Sequence, residues 1–173
     1  QASGVKIDGA TAKTEWQAAQ ACAGFNAYRQ KGGFFENVPA RWQTRARVLN
    51  DAENLYLAFA LDTAKEIKSD VLTICVAGTP EDQPILITLD VFQKQVQLKG
   101  SAIAGAAVAV NPQRNAVELR IPKAALGLKQ NHFYLNFTRK ASAGKEPETS
   151  YWRGNDHSWQ DSSVYAHFVA PQP

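Results

Sequence analysis

Apolar and polar positions alternate with a period of two along much of the chain. In Leu55-Tyr56-Leu57-Ala58-Phe59-Ala60-Leu61 the bulky Leu55, Leu57, Phe59 and Leu61 share one face. Tyr56, Ala58 and Ala60 share the other, which predicts a strand with its larger side chains in a core. Residues 44–49 alternate small or apolar side chains with Arg45 and Arg47, which are read as outward. The turn formers of 50–54 join the two segments into an antiparallel hairpin. Residues 71–76 and 85–91 are nearly continuous apolar runs, expected as central strands covered on both faces, with Pro80 and Pro84 breaking the chain between them. A second hairpin is expected across 111–115. Its return strand puts Val117, Leu119 and Ile121 inward and Glu118 and Arg120 outward. Residues 121–127 follow as a short helical turn, opened by Pro122 and closed by Gly127. The last strands are 132–139 and 164–169. In the first of them Phe133, Leu135 and Phe137 form the core face, and Tyr134, Asn136 and Thr138 form either a polar binding floor or a solvated surface.

Helical signals are few. The alanine-rich residues 12–23 hold at most a turn or two, with Trp16 as a core anchor near the N-terminus. About eight to eleven short strands punctuated by turns predict an all-β fold. We expect a two-sheet antiparallel β-sandwich, immunoglobulin-like or jelly-roll-like, with one or two short helical turns and a single domain over residues 1–173. Residues 26–42, 62–69 and 141–163 are read as irregular, and loops of that length often carry function.

Composition narrows the classes. The chain of 173 residues is 45% hydrophobic and 20% charged, unlike a disordered segment. No apolar run approaches the ~20 residues of a membrane-spanning helix, so no membrane span is expected. The formal charge of +3 is spread along the chain rather than gathered in a patch, so no nucleic-acid partner is expected. Methionine is absent even at position 1, and the chain is therefore read as a mature or excised form. Of the two cysteines, Cys22 and Cys75, either a disulfide in an oxidising compartment or two buried thiols is expected. No Cys/His spacing suggests zinc.

No enzyme signature stands out. His132, His157 and His167 sit in no metal or nucleophile motif, and no GxSxG elbow, Walker loop or GxGxxG occurs. Asp156 and Asp161 are candidates to flank a glycosidic bond, but carboxylates in a polar loop more often form turns or bind cations. The densest chemistry is the run Tyr151-Trp152-Arg153-Gly154-Asn155-Asp156-His157-Ser158-Trp159-Gln160-Asp161-Ser162. Sugars stack their C–H faces on aromatic rings and hold their hydroxyls with planar donors and acceptors, and this run supplies both. Trp159 is the candidate stacking face, with Trp152 or Trp42 as a second wall. Asn155, Asp156, His157 and Arg153 are the candidate hydroxyl partners. The competing reading has the tryptophans capping the core.

Several landmarks resemble family 9 carbohydrate-binding modules and their DOMON-like relatives: Val5-Lys6-Ile7-Asp8-Gly9 with Glu15-Trp16-Gln17, the hairpin 44–59, Val117-Glu118-Leu119-Arg120-Ile121-Pro122, and the closing segment 151–168. The resemblance implies a β-sandwich that is secreted, periplasmic or at the cell surface. It also implies binding of an oligo- or polysaccharide and service as an accessory domain to a linked or partner enzyme domain. Sugar-binding members clamp a terminal sugar between two tryptophans. One of these matches Trp159, and the family's amide falls near Asn155 or Asp156. The other belongs in the loop 62–69, which here carries no aromatic residue. Leu72 and Thr73 stand where an acidic residue is expected, and Ile87 or Thr88 where an arginine is. Relatives also hold haem b through methionine with histidine or lysine; without methionine, only a His/His or His/Lys site is open. Calcium sites occur in the family too, and Asp51, Glu53, Asp62 and Asp70 are the candidate ligands for a structural calcium. No other cofactor is expected. The alternatives to sugar binding are a structural or protein-interaction module of the same fold and, behind it, a haem-binding DOMON-like domain.

Overall fold

A computed structural model describes residues 5–11, 14–128, 132–144, 147–155 and 157–169. Two antiparallel sheets pack face to face. The smaller contains β1 (Gln20–Cys22), β4 (Thr44–Asn50), β5 (Asn54–Leu61), β11 (Ala116–Pro122) and β10 (Ala107–Val110), in that order. The larger runs β3 (Phe34–Pro39), β2 (Asn26–Lys31), β13 (Pro147–Tyr151), β12 (His132–Ser142), β6 (Ser69–Ala77), β7 (Ile85–Asp90), β8 (Gln95–Leu98), β9 (Ser101–Ala102), with β14 (Ala166–Val169) also paired to β12. The expected all-β sandwich is therefore what the chain forms. Among the described residues no helix is long and apolar enough to cross a membrane.

The alternation sets which side chains meet between the sheets. Leu55, Leu57, Phe59 and Leu61 of β5 face Leu72, Ile74 and Val76 of β6 and Phe133, Leu135 and Phe137 of β12 in one buried cluster. At its centre Phe59 meets Phe137 edge to face, with ring centroids 5.5 Å apart. Such a contact adds to the burial of both rings. The expected helical turn is a single 3-10 turn, Lys123–Leu126, and Gly127 ends it with φ +64°, a left-handed conformation that suits glycine.

Within 12–23 the expected turn is a 3-10 turn, Thr14–Trp16, and the strand β1 follows. Several other expectations are corrected. Residues 26–42, read as irregular, contain the hairpin β2–β3. Strands β6 and β7 are not covered on both faces along their length, because Thr88 is exposed and Thr73 half-buried. Glu118 does face away from the interior, yet it is fully buried, because the N-terminal segment crosses the outer face of the small sheet. There Trp16 packs on Tyr56 and Ala58, and the Glu118 carboxylate fastens the segment. It accepts hydrogen bonds from the Asp8 and Gly9 amides at 2.7 and 2.8 Å and from Trp16 Nε1 at 2.8 Å.

No disulfide joins Cys22 and Cys75. Both are free, buried thiols. Cys22 lies in the interior cluster, whereas Cys75 points out of the other side of the large sheet and packs on Ala77 and Tyr165. A sheet stands between them. Burial pushes both thiols up to about 12, the nearby Arg153 charge opposing this at Cys22.

A buried ion pair joins two strands of the large sheet, and its arginine ties that sheet to the small one. Arg139 continues the inward face of Phe133, Leu135 and Phe137, and Asp70 that of Leu72 and Ile74. Arg139 Nε and Nη2 donate to the two Asp70 oxygens at 2.8 and 2.7 Å. The remaining guanidinium hydrogens go to the Trp42 and Gln43 carbonyls and Thr44 Oγ1 around the start of β4, and to the Asp62 carbonyl after β5.

Candidate functional site

The aromatic loop does not stand at an open end of the sandwich. It lies across the outer face of the large sheet, and Asn136 of β12 holds it there. Asn136 is fully buried; its Nδ2 donates to the Arg153 and Trp159 carbonyls at 3.0 and 3.2 Å, and its Oδ1 accepts from the Arg153 amide at 3.1 Å. Thus the polar face of β12 proves at this point to be a seat for the loop. Inside the loop, Asn155 Oδ1 accepts from the amides of His157 and Ser158 at 2.9 and 3.2 Å. Gly154, at φ +75°, turns the chain where a Cβ would come within 2.7 Å of Ser158 Oγ. Asp161 accepts from the amide and hydroxyl of Ser163, which hold its carboxyl below the usual range. Ser162 Oγ donates to the Pro80 and Asp82 carbonyls at 2.6 and 2.9 Å.

These contacts sort the candidate residues. Trp159 is half-buried and packs on the outward cluster of Cys75, Ala77 and Tyr165, which Leu86 and Tyr134 also border. The next outward positions of β6 and β7, Thr73 and Thr88, are direct partners, and Gln97 of β8 pairs with Thr88. A strip of small polar side chains therefore starts beside the indole. On its other flank the Tyr134 ring stacks on His167 at 4.7 Å, and His132 meets His167 edge to face at 5.4 Å. Asn155 is consumed by its own turn. Arg153 and His157 are exposed, and Asp156 lies outside the described residues, which leaves its pairing with Asp161 without a geometry.

Neither proposed second wall faces Trp159. Trp152 closes the edge of the interior, 5.6 Å from Phe137 and 6.4 Å from Phe168 between ring centroids, with the Arg153 guanidinium 5.0 Å over its ring. Trp42 is 7% exposed, packed with Ile67 and Ala141 under the Arg41 guanidinium. It borders a cavity of about 570 Å³ that also touches Tyr28, Arg29, Arg41 and Glu148. The loop 62–68 leads into the first residues of β6, while Trp159 packs against its last ones. Six residues of strand, roughly 20 Å, separate Ser69 from Cys75. The two-tryptophan clamp implied by the resemblance is therefore not assembled.

One surface aromatic, Tyr28, escaped the sequence reading. Tyr28 shares the outward face of the large sheet, since Tyr151 pairs with both Thr138 and Asn26. Its ring stacks on Phe35 at 5.1 Å and takes the edge of His157 at 5.9 Å. Phe34 and Phe35 are 80% and 56% exposed. The only sequence signal was Gly32-Gly33 between two short runs, a two-residue hairpin turn.

The residues offered for metal and haem do not fit those groups. Asp70 is committed to Arg139. Asp51 accepts from the Glu53 and Asn54 amides and Tyr56 Oη. Although burial pushes its carboxyl up, those hydrogen bonds and the Lys123 charge hold it below the usual range. Among the described residues no three His, Cys, Asp or Glu side chains gather as a metal site. His132, His157 and His167 are all exposed on the outside of the sandwich, and the buried Lys123 amine is taken by Asn50 and Asp51. Among the described residues no enclosed pair of axial haem ligands results. In comparison with known proteins, no family model matches the chain and no curated protein matches it.

Proposed function

We propose that this chain is a non-catalytic carbohydrate-binding domain that recognises a saccharide on the outer face of its large sheet. The observation that carries this reading is the incompletely buried Trp159, packed on the outer face of the large sheet next to the polar positions Thr73, Thr88 and Gln97. A pyranose lying on the indole places its hydroxyls over those hydroxyl and amide groups, with His157 and Arg153 at the margin. Stacking alone against one face gives modest affinity, because a ring held on one side loses less water than a ring clamped on both. The order of landmarks resembling family 9 carbohydrate-binding modules supports the same class. A secreted or cell-surface accessory domain working beside a polysaccharide-degrading enzyme follows from that likeness.

Base–aromatic stacking is worth about 1–3 kcal/mol per ring. By analogy, Trp159→Ala weakens oligosaccharide binding tenfold or more in calorimetry, with the melting temperature as the control for folding. Undiminished binding by the variant refutes this assignment. A second reading, a protein-interaction module of the same fold, is favoured by the solvent-facing Phe34 and Phe35 on the edge hairpin. A glycan screen that returns no ligand selects it.

A further inference from the structure

A second cavity, of about 330 Å³, opens at one end of the sandwich, between the loop 62–68, Phe92 after β7, and the turn 111–115. Its wall is apolar at Ala64, Ile67 and Phe92 and carries neutral polar groups at Thr63 and Gln113. Its ionisable lining is one-sided. Lys65 and Arg114 are both exposed and, among the described residues, neither makes an ion pair; Glu66, beside Lys65, pairs instead with Arg41 at 3.8 Å. Asp70 is the only carboxylate lining the cavity among the described residues, and Arg139 neutralises it on both oxygens. The mouth is therefore net positive.

Local structure holds one of the cations in place. Asn111 Oδ1 accepts from the Asn115 and Ala116 amides at 3.0 and 3.1 Å, and Arg114 takes a left-handed φ of +58° within that turn. Its guanidinium lies over the Phe92 ring, 4.1 Å from the centroid. Stacking restrains the planar fork while its edge remains free to donate, the geometry in which arginine binds carboxylate or sulfate oxygens. A volume near 300 Å³ is at the small end of ligand sites and suits one sugar ring.

We infer that this end cavity binds an anionic sugar residue, its carboxylate or sulfate ester held by Lys65 and Arg114 and its ring against Ala64, Ile67 and Phe92. That the anion belongs to a sugar rests on the carbohydrate reading above; the site itself is separate from Trp159. Ion pairing at an open cavity also makes the binding salt-sensitive.

Calorimetric titration with a trigalacturonate, a sulfated disaccharide and a neutral cellotriose tests the proposal. At least one anionic probe binds, and which one identifies the anion. Arg114→Gln and Lys65→Gln each weaken that binding about tenfold or more, as expected for losing a charge-assisted hydrogen bond, with melting temperatures unchanged. Raising sodium chloride weakens it too, and Trp159→Ala leaves it intact. The inference is overturned if neither anionic probe binds, if the double variant binds as well as the parent, or if Trp159→Ala abolishes the binding. Cellotriose separates the two sites: neutral sugar binding that needs Trp159, with no anion binding, removes this inference alone. Anion binding that needs Lys65 and Arg114, without neutral binding, removes the Trp159 site alone.

Discussion

Replacing Arg139 with methionine removes the charge that neutralises Asp70 while keeping much of the side chain's bulk. In the native protein the two side chains are 1% and 2% exposed and meet through two parallel hydrogen bonds of 2.8 and 2.7 Å. Taking one partner from a buried ion pair costs about 3–5 kcal/mol, because the other charge is left without compensation. Arg139→Met belongs at the upper end. It orphans a carboxylate and also strips the Trp42, Gln43 and Asp62 carbonyls of a donor. Asp70→Leu belongs at the lower end, since the guanidinium keeps those carbonyls and Thr44 Oγ1 as acceptors. Against a total stability of roughly 5–15 kcal/mol, either loss is large. With a urea dependence of about 2 kcal/mol per molar, a loss of 4 kcal/mol lowers the unfolding midpoint by about 2 M. The double variant Arg139→Met, Asp70→Leu recovers much of this, as a buried pair replaced by apolar groups often does. The reasoning is refuted if the cycle is additive within about 0.5 kcal/mol, or if Arg139→Met costs less than about 1 kcal/mol. The same substitution uncovers a negative charge on the wall of the end cavity, so anion binding there falls as well.

Two further outcomes follow from the buried groups. Glu118→Ala releases the N-terminal segment: we expect a loss of about 1.5–3 kcal/mol from its charge-assisted hydrogen bonds and faster proteolysis ahead of β1, and unchanged cleavage there counts against the anchor. Cys22 and Cys75, free and raised to about 12, resist alkylation in the native state and react on unfolding. Because their folded values lie above the unfolded value of about 8.5, the thiols' contribution to stability is whole below that pH and is lost as pH climbs towards 12. Alkaline denaturation that a Cys22→Ala, Cys75→Ala variant shares unchanged contradicts this.

Period-two alternation made the interior legible because an inward side chain has one environment. The rows Leu55, Leu57, Phe59, Leu61 and Phe133, Leu135, Phe137 meet as their parity requires. The same parity put Arg139 and Asp70 inside, but a strand pattern carries no information about a partner 69 residues away. The hairpin β2–β3 was illegible for the opposite reason. Strand β3 is exposed along nearly its whole length, so it has no inside for an alternation to mark. Tryptophan is ambiguous in a third way, since an indole capping a core and one stacking on a sugar need the same flat apolar face. Trp42 and Trp152 pack against clusters that include inward-facing side chains, while Trp159, half-buried like Trp152, packs on the outer face of the large sheet.

What decides function on a sandwich is how much of each outer face its own chain covers, and here one buried polar side chain controls each cover. Glu118 fastens the N-terminal segment over the small sheet, and an apolar cluster around Trp16 fills the space beneath. Asn136 fastens the C-terminal loop over only part of the large sheet, which leaves Thr73 and Thr88 uncovered beside Trp159. Both fasteners lie on outward positions that alternation labels as solvent-facing, yet both are completely buried. A buried polar group must be matched by donors or acceptors, and each of these is matched by groups of the segment that covers it. The remaining open strip is therefore a consequence of where Asn136 stops the loop.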